Sequence, residues 1–201
     1  MEKLIKTSEK LDFFFKVMQI VIILAMVIML IATTALTFMN TGASDTISGD
    51  SKIIDISSIR LEISKEFIPD KKEFLIYTWI TDILVLAIGT VIYYVVSVIR
   101  QILQPMKEGC PFDISIGYNI RKIANATILL GILSNVFSAV CALGTVYLFR
   151  ISEMFADGAV SKVTANLSFD ATFFIVYFIL LLISHVFSYG AELQKLSDET
   201  L

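Results

Sequence analysis

Four long apolar stretches dominate the pattern of hydrophobic and polar positions along this chain. They cover residues 13–39, 75–99, 124–149 and 171–189, and only isolated polar side chains interrupt them. At about 1.5 Å of rise per helical residue, stretches of about 19 to 27 residues reach across a hydrocarbon core of roughly 30 Å. The pattern therefore predicts an all-α membrane protein with four transmembrane helices in an up-down bundle, and a single membrane domain over residues 1–201.

Two of the intervening loops contain segments in which apolar and polar residues alternate. Residues 59–64 and 163–170 alternate strictly, and residues 54–56 alternate in the opposite phase. Period two is typical of a half-buried β-strand. The outer loops, residues 40–74 and 150–170, are therefore expected either to pair into a small extracytoplasmic β cap or to remain two solvated loops.

The remaining loop, residues 100–123, contains three residues that favour chain reversal: Pro105, Gly109 and Pro111. Asp113 or Ser115 follows as a candidate helix cap. The structural interpretation is a turn, then an interfacial helix that continues into the third span and carries on one side Ile116, Ile120 and Ile123. The alternative interpretation is that Gly109 to Phe112 forms a docking site for a cytoplasmic partner.

Positively charged residues flank the predicted spans unevenly. Four lysines lie before or at the start of the first span, and the short loop between the second and third spans contains Arg100, Lys107, Arg121 and Lys122. Because Lys and Arg are enriched in cytoplasmic loops, both segments are predicted to be cytoplasmic. Four spans then give an N-in, C-in topology.

The composition of the chain agrees with lipid as its main surroundings. Charged residues make up 17% and hydrophobic residues 56%, against about a quarter and about half in soluble domains. The net charge of −3 and the lack of a dense Lys/Arg run argue against direct nucleic-acid binding. We expect a multi-pass cell-membrane protein in contact with the lipid bilayer.

No catalytic, cofactor-binding or metal-binding motif is recognisable in the sequence. Zinc-protease, serine-hydrolase and phosphate-binding glycine patterns are all missing. Cys110 and Cys141 are separated by about 26 Å of helix, which is too far for a disulfide. We therefore expect a protein that is not an enzyme and that holds no cofactor and no metal ion.

Two titratable side chains within the predicted spans are candidates for a functional role. Asp82 is the only acid there, and a charged side chain at the bilayer centre costs about 2.5 to 3.5 kcal/mol on insertion scales. It is interpreted as an ion, proton or ligand contact, or alternatively as a carboxyl bonded to hydroxyls near the outer interface. His185, the single histidine, is interpreted as a proton relay, or alternatively as a satisfied side chain near the inner interface.

Small residues recur every four positions on the third span, at Ser134, Ser138 and Ala142. Such a face lets another helix approach closely. The spacing predicts packing inside the monomer, with a homodimer surface as the alternative.

Two segments of the chain resemble a known family. The first segment comprises Glu108-Gly-Cys-Pro-Phe-Asp113 and Asn119-Ile-Arg-Lys-Ile-Ala124. The second comprises Tyr189-Gly-Ala-Glu-Leu-Gln194 and Ser197 to Leu201. Both are similar to motifs of domain-of-unknown-function family 2975. That family consists of uncharacterised four-span proteins of the bacterial inner membrane, often encoded beside a small helix-turn-helix regulator. The resemblance implies one cytoplasmic functional surface that would include Gly109, Pro111, Phe112, Arg121, Gly190, Glu192 and Asp198.

The sequence thus favours a non-enzymatic membrane regulator or sensor that interacts with a cytoplasmic protein. A small helix-turn-helix transcription regulator is the partner that the resemblance implies. The alternatives are a small transporter, channel or immunity-type membrane protein, and an accessory subunit of a membrane complex.

Overall fold

The structure is a computed structural model that describes residues 2–38, 51–56, 59–64, 71–110, 112–148, 150 and 167–199. In these ranges the chain forms four long helices: α1 (Glu2–Phe38), α2 (Lys71–Lys107), α3 (Ile114–Leu148) and α4 (Thr172–Glu199). All four are long and apolar enough to cross a membrane. The prediction of four helices with the length and composition of membrane spans is confirmed.

The helices extend well beyond the apolar stretches that predicted them. Most of residues 100–123, the predicted inner loop between two spans, is helical, because α2 continues to Lys107 and α3 begins at Ile114. The helix predicted to follow Asp113 or Ser115 agrees with this start of α3. A window of apolar residues marks only the part of a helix that suits hydrocarbon, whereas backbone hydrogen bonding carries the helix on into polar residues. Pro105, predicted as a turn residue, lies inside the last turns of α2.

The turn between α2 and α3 is built from paired helix caps. Gly109 has a φ of +81°, and its N–H donates to the Met106 carbonyl oxygen at 3.3 Å, while the Cys110 N–H donates to that of Pro105 at 3.0 Å. These two bonds form a Schellman motif, which satisfies the last carbonyls of α2. The Asp113 carboxylate then accepts the Ser115 N–H at 2.7 Å and caps α3. The predicted capping role is thereby assigned to Asp113.

Two short strands precede α2. β1 (Ser51–Ile56) pairs antiparallel with β2 (Ile59–Ser64), with Ser51 opposite Ser64 and Ile56 opposite Ile59. The strand predicted over residues 163–170 is wrong in its described part, because residues 167–170 have no regular secondary structure. Residues 163–166 lie outside the described residues. Pairing of the two outer loops into one cap stays a prediction.

The chain divides into two compact units. The first unit comprises residues 1–27, 86–135 and 169–201, and the second comprises residues 28–85 and 136–168. Buried apolar side chains of the first unit are concentrated in α2, α3 and α4, among them Val96, Val98, Leu103, Ile116, Ile120 and Ala124. The predicted apolar side of the start of α3 is therefore largely a packing surface, with Ile116 fully buried.

Helix α1 buries polar residues and exposes large apolar ones. Ser8, Gln19 and Thr33 are buried, whereas Phe13 and Ile20 are 68% and 59% exposed. In lipid, exposed apolar surface costs little, while a polar side chain gains from an interhelical hydrogen bond. The arrangement suits a helix whose outer surface faces hydrocarbon.

Helices α3 and α4 approach each other closely at Gly117. The Ser184 hydroxyl donates to the Gly117 carbonyl oxygen at 2.7 Å, and a Cβ at Gly117 would lie 3.1 Å from the Ser184 carbonyl oxygen. Packing inside the monomer, as predicted for Ser134 and Ser138, is wrong, because both are exposed. The alternative, a homodimer surface, stays a prediction. Small residues permit a close approach but do not determine which of several small faces receives the neighbouring helix.

Candidate functional site

Phe112 joins the two segments that the sequence singled out. Its ring centroid lies 6.1 Å from that of Phe187 on α4. A Cβ at Gly190 would lie 3.1 Å from the Phe112 ring, so the missing side chain makes room for the aromatic one. The α2–α3 turn is therefore held against the C-terminal half of α4.

The surface around this contact combines aromatic, charged and amide groups. Phe112 remains 48% exposed, Tyr118 is 63% exposed, and the Lys122 ammonium lies 4.5 Å from the centroid of the Tyr118 ring. Lys122 also donates to the Asn119 side-chain oxygen at 3.1 Å. Arg121 and Glu192 are exposed. We call this surface, from Gly109 to Lys122 and from Phe187 to Glu199, the turn surface.

Most of the predicted surface residues can be placed in the structure. Gly109 forms the helix cap, and Phe112 and Gly190 are in contact. Pro111 lies outside the described residues. Asp198 belongs to α4, but its side chain lies outside the described part of the structure.

The two acids that precede helices of the first unit act as caps. Hydrogen bonds from Ser115, first from its side chain and then from its backbone, hold the pKa of the Asp113 carboxyl below its usual value. Bonds from Thr172, in the same order, lower the pKa of Asp170. Negative charge at a helix N-terminus is stabilised by the unpaired N–H groups there.

Asn135 forms hydrogen bonds with the backbone just before α4. Its side-chain oxygen accepts the Asp170 N–H at 2.8 Å, and its amide donates to the Asp170 carbonyl oxygen at 3.0 Å. These bonds satisfy the backbone of Asp170 without a partner strand, which explains why the alternating segment does not continue as a strand to this residue.

A charged cluster links α1 to the C-terminal end of α2. Asp12 accepts hydrogen bonds through separate oxygens from Arg100 Nε at 2.8 Å and from Lys107 Nζ at 2.5 Å. Arg100 Nη1 also donates to the side-chain oxygen of the buried Gln19 at 2.7 Å. One carboxylate therefore neutralises part of the charge of two cations.

Beside this cluster lies a cleft of about 470 Å³. Asp12 forms one wall. The other wall is a polar stripe along α2 and the residue that follows it, which we call the α2 stripe: Ser97, Arg100, Gln101, Gln104, Lys107 and Glu108. The volume is in the range of small-ligand sites.

Asp82 has a buried partner on a different helix of the second unit. It is 8% exposed and accepts a hydrogen bond from the Thr33 hydroxyl of α1. The Thr33 oxygen also lies 3.0 Å from the Met29 carbonyl oxygen. Thr78 and Thr81, the hydroxyls nearest in sequence, donate to carbonyls of their own helix instead. A hydroxyl thus partners Asp82, and the choice between the two interpretations of this residue stays a prediction.

His185 lies exposed on α4. Its Nδ1 donates to the Leu181 carbonyl oxygen at 2.8 Å, one turn earlier in the same helix. A carbonyl oxygen can only accept a hydrogen bond, so Nδ1 carries a proton in this arrangement.

Among the described residues, no group of three or more His, Cys, Asp or Glu side chains could hold a metal ion. Cys110 is an exposed free thiol, and Cys141 is a half-buried one. Comparison with protein-family models, curated proteins and solved structures gave no match to this chain. Membership of domain-of-unknown-function family 2975 stays a prediction.

Sequence reasoning missed several residues that the structure brings together. Asp12 lies among four lysines and next to the first apolar stretch, and an acid beside basic residues at the end of a span is a signal of ion pairing. Gln19 and Thr33 lie on the covered side of α1, separated by two heptads. That spacing places both residues on one face of α1. It does not show which other helix covers that face.

Proposed function

We propose that the protein is a non-enzymatic membrane regulator whose turn surface binds and releases a cytoplasmic protein. Its support is the contact of Phe112 with Phe187 and Gly190, which unites two sequence-distant segments. This contact holds the two segments together, and the half-exposed Phe112 ring resembles the aromatic anchors found at protein interfaces. The family resemblance adds a small helix-turn-helix regulator as the partner.

The turn surface suits a protein partner better than a small substrate. Exposed aromatic rings at Phe112 and Tyr118 stand beside both cationic and anionic side chains of α3 and α4. Aromatic residues and Arg are enriched in protein interfaces, where aromatic rings supply contact area at low entropic cost. A positively flanked loop is also the cytoplasmic side under the proposed N-in, C-in topology.

Photo-crosslinking in cells tests this function. A photoreactive amino acid replaces Phe112 or Glu192 in the full chain, and Ile175, which is 63% exposed on α4, serves as the matched control. We expect one discrete cytosolic protein to be trapped from the first two positions and none from Ile175. Gly190→Leu should abolish the adduct from the probe at Glu192, because the larger side chain displaces the Phe112 ring. Identical adducts from all positions, or none from Phe112 and Glu192, would overturn the proposal.

A further inference from the structure

The cleft beside Asp12 lies where a membrane helix leaves the hydrocarbon. The α2 stripe begins at Ser97, just before the end of the apolar stretch of residues 75–99. It extends to Glu108, about 16 Å farther along the helix. The polar layer on each side of the hydrocarbon is about 5 to 8 Å thick. The stripe therefore crosses the depth at which phospholipid headgroups lie.

The cations of the cleft retain donors for a further ligand. Arg100 uses Nε and Nη1 for Asp12 and Gln19, and Lys107 uses one ammonium hydrogen for Asp12. A guanidinium carries five N–H donors and an ammonium carries three, so both groups can also donate to a phosphate. Within the described part of the chain, Gln101 and Gln104 make no side-chain hydrogen bond, and they add further donors to the same wall.

The charges of the lining balance each other. Arg100 and Lys107 supply two positive charges, and Asp12 and Glu108 supply two negative ones. Glu108 is exposed and makes no ion pair among the described residues. A net-neutral lining with separate cationic and anionic groups complements a ligand that carries both signs of charge, whereas a purely anionic ligand would meet two carboxylates.

The surroundings of the cleft favour a lipid over a soluble phosphate. The residues that follow Asp12 on α1 include the exposed apolar side chains of Phe13, Phe14 and Val17. Such side chains provide the apolar surface along which acyl chains can lie. A free phosphate would gain nothing from them.

We propose that this cleft binds the headgroup of phosphatidylethanolamine. The phosphate accepts hydrogen bonds from Arg100 and Lys107, and the primary ammonium donates to the Glu108 carboxylate. The assignment is independent of the proposed function, since it involves the α1–α2 cleft and not the contact of Phe112 with α4.

Lipid titration of the purified full chain tests the assignment. The apparent affinity is measured from the rise in melting temperature in dodecyl maltoside micelles doped with phosphatidylethanolamine, phosphatidylcholine or phosphatidylglycerol. We expect the tightest binding for phosphatidylethanolamine, because phosphatidylcholine lacks N–H donors for Glu108 and phosphatidylglycerol lacks the ammonium. Loss of one charge-assisted hydrogen bond corresponds to about tenfold weaker binding or more.

The decisive variant is Glu108→Gln, with Glu9→Gln as its matched control on the exposed side of α1. Arg100→Gln is less informative, because it also removes the bonds to Asp12 and Gln19. Glu108→Gln should weaken phosphatidylethanolamine binding about tenfold and abolish its advantage over phosphatidylglycerol, while Glu9→Gln leaves both unchanged. Equal effects of the two variants, tighter binding of phosphatidylglycerol to the wild type, or no lipid-dependent shift would refute the assignment. The same shift with phosphoethanolamine or inorganic phosphate alone would refute the lipid as the ligand.

Discussion

Gly117→Ala provides the sharpest test of the packing between α3 and α4. A Cβ at this position would meet the Ser188 hydroxyl, and it would lie 3.1 Å from the Ser184 carbonyl oxygen and 3.2 Å from the Ser188 backbone nitrogen. The hydroxyl can rotate away, but the two backbone atoms can move only with α4. The methyl group therefore forces the helices apart and strains the hydrogen bond from Ser184 to the Gly117 carbonyl oxygen.

The magnitude follows from three opposing contributions. Overpacking costs about 1 to 3 kcal/mol, and a weakened interhelical hydrogen bond in a membrane costs about 0.6 kcal/mol. The higher helix propensity of Ala over Gly stabilises the folded state by about 0.8 to 1 kcal/mol. The expected net loss is about 0.6 to 2.8 kcal/mol, which corresponds to a fall in melting temperature of about 1 to 11 °C for a chain of this length.

Thermal unfolding of the full chain in micelles measures this loss, and Gly89→Ala is the matched control. A Cβ at Gly89 would meet only the flexible Met26 side chain, at 3.1 Å from its sulfur, so that variant should unfold within a few degrees of the wild type. The double variant Gly117→Ala with Ser188→Ala should recover only the part of the loss that the hydroxyl causes. If Gly117→Ala proves as stable as Gly89→Ala, the close approach of these backbones is refuted.

Three further changes have defined outcomes. Asp113→Ala should lower the free energy of unfolding by about 0.5 to 2 kcal/mol at pH 7. Since the pKa of Asp113 is lowered in the folded state, this contribution is present above the unfolded pKa of about 3.9 and is lost as the pH falls through the folded value. Melting curves at pH 7 and pH 3 should therefore show a smaller difference from the wild type at pH 3, and a constant difference would contradict the capping role. Thr33→Val should lower the free energy of unfolding by about 1 to 3 kcal/mol, because Asp82 is then buried without its hydroxyl partner. Thr33→Ser keeps a hydroxyl and should not lower it. Chemical unfolding measures both variants, and equal stability would disprove the pair. Asn135→Ala should lower the melting temperature and speed hydrogen exchange at the Asp170 amide, and unchanged exchange would show that this amide is not held by Asn135.

Some helix ends could be predicted from single segments of the sequence. Asp113 followed by an apolar helical pattern predicted the start of α3, and Gly109 supplied the positive φ that the end of α2 requires. These signals work because a cap is satisfied by atoms within a few residues of it. Pro105 was misassigned, because a proline near a helix end removes only one hydrogen bond and need not end the helix at once.

The candidate site was predictable only in its composition. The sequence placed Phe112 and Gly190 in two motifs, but the contact between ring and glycine depends on how α3 and α4 are packed. The sequence shows that Asp12 is an acid, but not that Arg100 and Lys107 share it as their partner. Side chains nearly ninety residues apart pair according to helix rotation and tilt, and neither follows from the order of residues in one helix.

The sequence by itself determined that the protein has four long apolar helices, because only a helix satisfies every backbone polar group within its own segment in hydrocarbon. Tertiary structure decided which faces of those helices meet. Ser134 and Ser138 had the better small-residue spacing, yet the close approach occurs at Gly117 and Ser184. Lipid tails are as apolar as the side chains that they contact, so hydrophobicity cannot select a helix face in the membrane, and the choice is made by shape and by paired polar groups.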